Sequence, residues 1–336
     1  SDIVSRDFKY DDRKVKGKFE EFFEKCCYEK SKPNEDDWKD KYTLDEERLL
    51  SLKTSYGYLI SSYKNPSLPK CPIFVDEYAD EDNKEGGTGK SIVMNSIEHF
   101  KKVLCENGKN NASLLGKHSF SETTHDTKVI HIEDTTDEFT FDTIYNHLSG
   151  TMVVEPKYMS KIFIPYSRSP KFGISTNYLS VDMSASTRRR QVFNEFGSYW
   201  KDCNLNDESP EDKEHLGMSL FNDFDDSEWN KFYNFGVECV QLFLKHKIIE
   251  CDLGNLNMKS LRKSIEGTRT TGELDWIVSW LENDRIENGY NQGDGYSFEK
   301  LFQDFSLENP HIINGVGGNY SAVFKKHLYK VCEILK

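Results

Sequence analysis

Cys71-Pro72-Ile73-Phe74-Val75-Asp76 is followed by Gly86-Gly87-Thr88-Gly89-Lys90-Ser91, and then by a run that places Val93, Ile97, Phe100 and Leu104 on one helical face. An apolar strand, a glycine loop, Lys-Ser and an amphipathic helix form the layout of a phosphate cradle. Glycines let such a loop bend so that backbone N–H groups point inward at an anion. The helix adds the positive end of its dipole. Lys90 is placed to reach the β- and γ-phosphates of a nucleotide, and Ser91 to ligate Mg²⁺. Lys84 stands where the full pattern has a further glycine.

Downstream, Val129-Ile130-His131-Ile132-Glu133-Asp134 reads as an apolar strand ending in two acids. A phosphate-loop ATPase needs one carboxylate near Mg²⁺ and a second to orient water. Glu133 is assigned to the metal and Asp134 to the water, with exchange of the two left open. His131, inside the strand, reads as a packed side chain. Lys171 to Asn177 is another strand with a polar end, where the Asn177 amide could bond a γ-phosphate and a water. Between these strands, Met152–Val154 and Ile162–Ile164 flank a bend and predict a β-hairpin. Lys157, Lys161, Arg168 and Lys171 give that segment four basic residues and no acid, which suits contact with a nucleic-acid backbone. Tyr158 or Phe163 could meet a base. Thr187-Arg188-Arg189-Arg190 precedes a strand ending in Phe196. One of these arginines could cross a subunit boundary to a γ-phosphate.

At 336 residues the chain has material for two or three domains. Its net charge of −13 speaks against general nucleic-acid binding over the whole surface, but not against a local basic channel. No apolar run approaches a membrane span. The eight cysteines are scattered without a CxxC pair, against a zinc module or a disulfide scaffold and in favour of a reducing, cytosol-like compartment. The first 66 residues read as helical, with Phe19, Phe22, Phe23, Cys26 and Cys27 in one helix, a break at Lys32-Pro33-Asn34, and Leu49 to Tyr63 in a second helix. After an Asn65–Pro69 linker the texture alternates between strand and helix up to about Cys203, as in an α/β layer fold. Asp207–Glu214 reads as an acidic loop and Asn288–Gly295 as a turn. The remainder reads as mostly helical, around Trp229 to Phe243, Leu274 to Leu281 and Phe324 to Leu335. The expected divisions are residues 1–66, 67–206 and 207–336.

The ordered set EGGTGKS (85–91), VIHIED (129–134), LSGTMVVEPKYMSKIFIP (148–165), FGISTNY (172–178) and STRRRQVFNEF (186–196) closely resembles a superfamily 3 helicase, nearest the phage and plasmid primase-helicase branch. The resemblance spans Cys71 to Trp200. It implies a three-layer αβα AAA+ P-loop NTPase core with helical N- and C-terminal regions, the former collar-like. It implies a homo-hexameric ring that hydrolyses ATP with Mg²⁺ and moves on single-stranded DNA in the cytoplasm of a bacterial host. A primase domain or protein is an implied partner. Carried over, Gly86, Gly87, Thr88, Gly89, Lys90 and Ser91 bind nucleotide, Ser91 and Glu133 hold Mg²⁺, and Glu133 with Asp134 form the acid pair. Asn177 is the sensor, Lys157 and Lys161 meet DNA, and Arg189, with Arg190 second, is the arginine finger. Two other readings are a phosphate-loop small-molecule kinase and a nucleotide-switched DNA-binding or assembly module without unwinding activity.

Overall fold

A computed structural model describes residues 9–10, 15–30, 39–67, 69–77, 86–110, 114, 116, 118–136, 139–178, 187, 189–205, 216–251, 273, 276–277, 279–280, 297–310 and 320–334. In chain order its elements are α1 (Lys18–Lys25), β1 (Tyr28–Lys30), β2 (Tyr42–Leu44), α2 (Glu46–Ile60), β3 (Cys71–Asp76), α3 (Lys90–Asn95), β4 (Val103–Asn107) and β5 (Val129–Thr135). They continue with α4 (Asp142–Ser149), β6 (Met152–Val154), β7 (Ile162–Ile164), β8 (Lys171–Thr176), β9 (Gln191–Phe196), α5 (Tyr199–Leu205), α6 (Asp226–His246), α7 (Phe298–Glu308) and α8 (Tyr320–Ile334).

The fold is mixed α/β, built on a five-stranded sheet in the order β4-β5-β8-β3-β9 with every pair parallel. All six residues of β3 and of β8 are buried, as a parallel sheet covered on both faces requires. Successive side chains alternate faces. Phe74 and Val129 therefore join one core with α1, α2 and α6, whereas Ile73, Ile130 and Ile132 join another with Ile144 and Leu148 of α4. Helices thus flank both faces of the sheet. The hairpin β6–β7 forms at the expected residues, with Met152 opposite Ile164 and Val154 opposite Ile162.

Several expectations change. The helix after Ser91 passes into a 3₁₀ turn at Ser96–His99, and Leu104 belongs to β4, an edge strand that the sequence reading left out. The first 66 residues are not all helical, because β1 and β2 pair antiparallel. Asp45 caps α2, accepting from the backbone N–H groups of Glu47 and Arg48 at 3.0 Å each. Residues Ser1–Cys251 and Asp252–Lys336 form two compact units. The divisions expected at 66 and 206 both fall inside the first, whose core runs without a break from Phe19 through Phe74 to Phe243. In the second unit Phe305 and Phe324 stack at 4.7 Å, and buried Glu273 accepts from Tyr320 and, at 3.0 Å, pairs with His327. Lys84, Arg188, the Lys32-Pro33-Asn34 break, the acidic loop at 207–214, Leu274, Leu281, the turn at 288–295 and Leu335 lie outside the described residues. Among the described residues no helix is long and apolar enough to cross a membrane.

Candidate functional site

From β3 the chain crosses to the far edge strand β4, returns through β5 and β8 to lie beside β3, and adds β9 on the other side. The carboxyl ends of β3, β8 and β5 thus surround a reversal of strand order, where open parallel sheets bind ligands. Three of the expected motifs sit at those three ends.

The loop before α3 is shaped by glycine. Gly87 and Gly89 have φ of 102° and 97°, in the left-handed region. A Cβ on Gly89 would stand 2.7 Å from the Phe22 ring and 3.0 Å from Cys26 Sγ. The glycine loop therefore rests directly on α1. Lys90 is buried, and its ammonium pairs with Asp76 at the end of β3. Thr88 Oγ1 donates to the same Asp76 oxygen, and Lys90 lies 3.2 Å from Thr88 Oγ1. Burial holds the Lys90 pKa below its ordinary value, with Asp76 pulling the other way. Asp76 is a site residue that the sequence reading passed over. Its only signal was a lone acid closing an otherwise apolar strand.

Glu133 and Asp134 sit on a bulge. The β5–β8 register slips between Ile132 and Thr135, and Asp134 has φ of 54°, a conformation that Asp tolerates better than most residues. Gly108, after β4, donates its N–H to the Glu133 carbonyl at 2.6 Å. A Cβ on Gly108 would strike that same carbonyl oxygen at 2.6 Å, so the approach that pins the bulge needs glycine there. The bulge separates the two acids. Ser91 Oγ donates to Glu133 Oε1 at 3.1 Å, while Asp134 pairs with exposed Lys109 at 3.0 Å. Cys105 Sγ lies 3.7 Å from Glu133 Oε2, and burial pushes its thiol up to about 11, so it stays protonated. His131 is packed, as expected. Its Nε2 bonds Ser175 Oγ at 2.8 Å, and burial pushes it down to about 4, leaving the ring neutral.

Asn177 follows β8, between the loop strand β3 and the acid strand β5. Its side-chain Oδ1 is buried with no hydrogen-bond partner, an arrangement that is uncommon unless a ligand or water completes it. A buried lysine, a hydroxyl and a carboxylate thus gather at the ends of β3 and β5, and an amide oxygen without a hydrogen-bond partner follows the strand between them. That donor set fits a magnesium-bound triphosphate. Arg48 on α2 braces the same edge through Asp45, Glu77 after β3 and Glu195 on β9, at 3.0 to 3.1 Å.

Other expected residues lie elsewhere. Arg189 and Arg190 precede β9, and Cys71 N donates to the Arg190 carbonyl at 2.7 Å. They therefore sit at the amino edge of the sheet, about 20 Å from the phosphate loop of their own chain given six residues of strand. Arg189 is exposed, and the Arg190 guanidinium lies 4.1 Å over the Tyr145 ring. Lys157 and Lys161 are exposed near the hairpin tip, where Lys161 pairs with Glu155. Tyr158 is 104% exposed and Phe163 61%. Lys171 corrects the expected basic run. It is buried and donates to the Ser61 carbonyl at 2.8 Å and to the Tyr58 carbonyl, closing the negative end of α2. Burial and the neighbouring Lys64 and Lys101 push it down to about 6.

No protein-family model and no curated protein matches the chain. Among solved structures it is similar to the A-form apo structure of the NrS-1 C-terminal region, with TM-score 0.44 and 14% identity over 98% of this chain and 70% of that one. A second structure of that region gives TM-score 0.37 and 14% identity, over 100% of this chain and 69% of that one. JCV helicase bound to a thiazolopyridine acetamide gives TM-score 0.31 and 10% identity, over 71% and 66%. At such low identity and superposition these likenesses say nothing about the chemistry of this chain.

Proposed function

We propose that the chain is an ATP-driven motor on single-stranded DNA: a superfamily 3 type AAA+ helicase that serves replication of a phage or mobile element as a homo-hexameric ring. The observation that carries this reading is the Ser91–Glu133 hydrogen bond at 3.1 Å, with Lys90 buried at the preceding position and the unfilled Asn177 amide after the strand that lies between β3 and β5. Gly86 to Gly89 would wrap the phosphates, with Lys90 leaving Asp76 to meet the β- and γ-phosphates. Ser91 and Glu133 would hold Mg²⁺, which when bound offsets phosphate charge and orients the γ-phosphoryl group. Asp134 would orient the water, and Asn177 would donate to the γ-phosphate while its Oδ1 accepts from that water. Water adds to the γ-phosphorus as the bond to the ADP oxygen breaks, giving ADP and phosphate.

Arg189 is exposed at the edge of the sheet far from its own phosphate loop, so as a finger it can serve only another subunit's site. Arg190 is the second choice, since it is already held over Tyr145. The hairpin, with Lys157 and Lys161, would grip the DNA backbone, and its entry into β8 gives a direct link from strand contact to Asn177. A primase domain or protein is the expected companion. The test is ATP turnover with and without single-stranded DNA, joined to the mass in solution with an ATP analogue and DNA. Strand-stimulated turnover by a six-subunit particle is expected. Turnover that needs a small-molecule acceptor would make the chain a kinase, and nucleotide binding without turnover would make it a switch.

A further inference from the structure

The central sheet carries opposite charge on its two edges. All five strands are parallel, so their amino ends share one edge and their carboxyl ends the other. Every amino end has a basic residue. Lys70 precedes β3, Lys101 and Lys102 precede β4, Lys128 precedes β5, Lys171 opens β8, and Arg190 precedes β9. The carboxyl ends hold Asp76, Glu106, Glu133, Asp134 and Glu195. In a chain of net charge −13, a basic residue at every entrance to the sheet is a concentrated exception.

Part of this rim is already engaged inside the chain. Lys70 pairs with Glu250 at 2.5 Å, Lys171 closes α2, and Arg190 lies over Tyr145. Lys101 is half-buried, while Lys102 and Lys128 are exposed. Their hydrogen-bond partners are neutral: Lys101 donates to Ser62 Oγ, Lys102 to Thr124 Oγ1 and Lys128 to the His125 carbonyl. Burial, and then repulsion from Lys128, lowers the Lys101 pKa, and Lys101 in turn repels Lys171. Asp126, two residues from Lys128, is the nearest acid in sequence. The rim continues into the hairpin. Tyr166, just after β7, donates to the Asn65 carbonyl at 2.9 Å, and Lys64 donates to Ser169 Oγ at 2.6 Å. Arg168, on the turn between them, is exposed.

We propose that this amino edge, with Lys101, Lys102, Lys128 and Arg168 as its open contacts, binds the phosphate backbone of a single DNA strand that also meets the hairpin. Clustered like charges without carboxylate partners gain by displacing the counterions of a polyanion, and neighbouring parallel strands, about 4.8 Å apart, set these charges in a row. The contact adds a second grip beyond Lys157 and Lys161, and it rests on the DNA reading given above.

The test measures binding of oligo-dT to the full chain by fluorescence anisotropy at several salt concentrations. The triple variant K101A/K102A/K128A should bind roughly tenfold more weakly, and the slope of log K against log salt should fall by about 2, three contacts at about 0.7 each. The matched variant K101R/K102R/K128R should bind like wild type, which separates charge from damage to the fold. If the alanine variant keeps wild-type affinity and slope while K157A weakens binding, the amino edge is not a contact and the DNA reading stands. If wild type binds no strand and its turnover ignores DNA, both fall. Polyglutamate binding as tightly as oligo-dT would overturn the nucleic-acid assignment in favour of an acidic protein.

Discussion

The carboxyl edge of the sheet and the β6–β7 hairpin are built on opposite principles. At the edge, Lys90 is buried against Asp76, Gly89 touches Phe22, and the Glu133–Asp134 bulge is pinned by the Gly108 N–H. At the hairpin, Met152, Val154 and Ile164 anchor one face while Lys157, Tyr158 and Phe163 project into solvent. Chemistry at a phosphate requires groups that are already in place before the transition state forms. Gripping a strand of any sequence requires exposed charge and aromatic faces that can adapt. The difference says where a substitution should damage catalysis, where it should damage the fold, and where it should do neither.

The sharpest contrast comes from removing the buried ammonium. Lys90→Ala should lower ATP turnover by roughly a thousandfold or more, about 4 kcal/mol of transition-state stabilisation. Retained turnover would mean that the cradle has no role in catalysis. Gly89→Ala comes next. It forces a side chain into the left-handed region and against Phe22, and should destabilise the first unit by roughly 2–4 kcal/mol. Urea unfolding measures this, and an unchanged midpoint would mean that α1 does not buttress the loop.

A smaller effect is expected at Lys64, whose ammonium lies 4.2 Å over Tyr166 and which burial holds down to about 8 from an ordinary 10.5. Between those values the unfolded chain keeps a proton that the folded chain has released, so stability should rise as pH rises from 8 to 10.5. After screening the gain is on the order of 1 kcal/mol. Lys64→Met should flatten that part of the curve; an unchanged slope would assign it to another group. The smallest effect on stability belongs to Tyr158→Ala, within about 0.5 kcal/mol, because the ring is fully exposed. Its strand affinity should nonetheless fall, and the pair of readouts separates a gripping residue from a packing one.

Much of the site could be read along the chain. Gly87, Gly89, Lys90 and Ser91 were visible because their spacing is local and their neighbours are an apolar strand and an amphipathic turn. The hairpin was visible because two short apolar stretches, Met152–Val154 and Ile162–Ile164, flank a basic bend. Asp76 was not, because an acid ending a strand becomes significant only when a lysine fourteen residues on folds back to it. Lys171 misled because charge in a sequence does not reveal which way a side chain turns, and here α2 offered it carbonyl acceptors.

By itself, then, the sequence determined that strands of buried apolar residues alternate with helices, and that a glycine loop bearing Lys90 and Ser91 follows the strand Cys71–Asp76. These are consequences of side-chain period and of backbone freedom, both properties of neighbours in the chain. Strand order was decided only by the tertiary structure. Placing β8 between β3 and β5 is what sets Asn177 between the loop and the acids, and making all five strands parallel is what gathers carboxylates on one edge and lysines on the other. The reason is physical: pairing partners are chosen by burial of both sheet faces, a condition on the whole core that no local stretch can express.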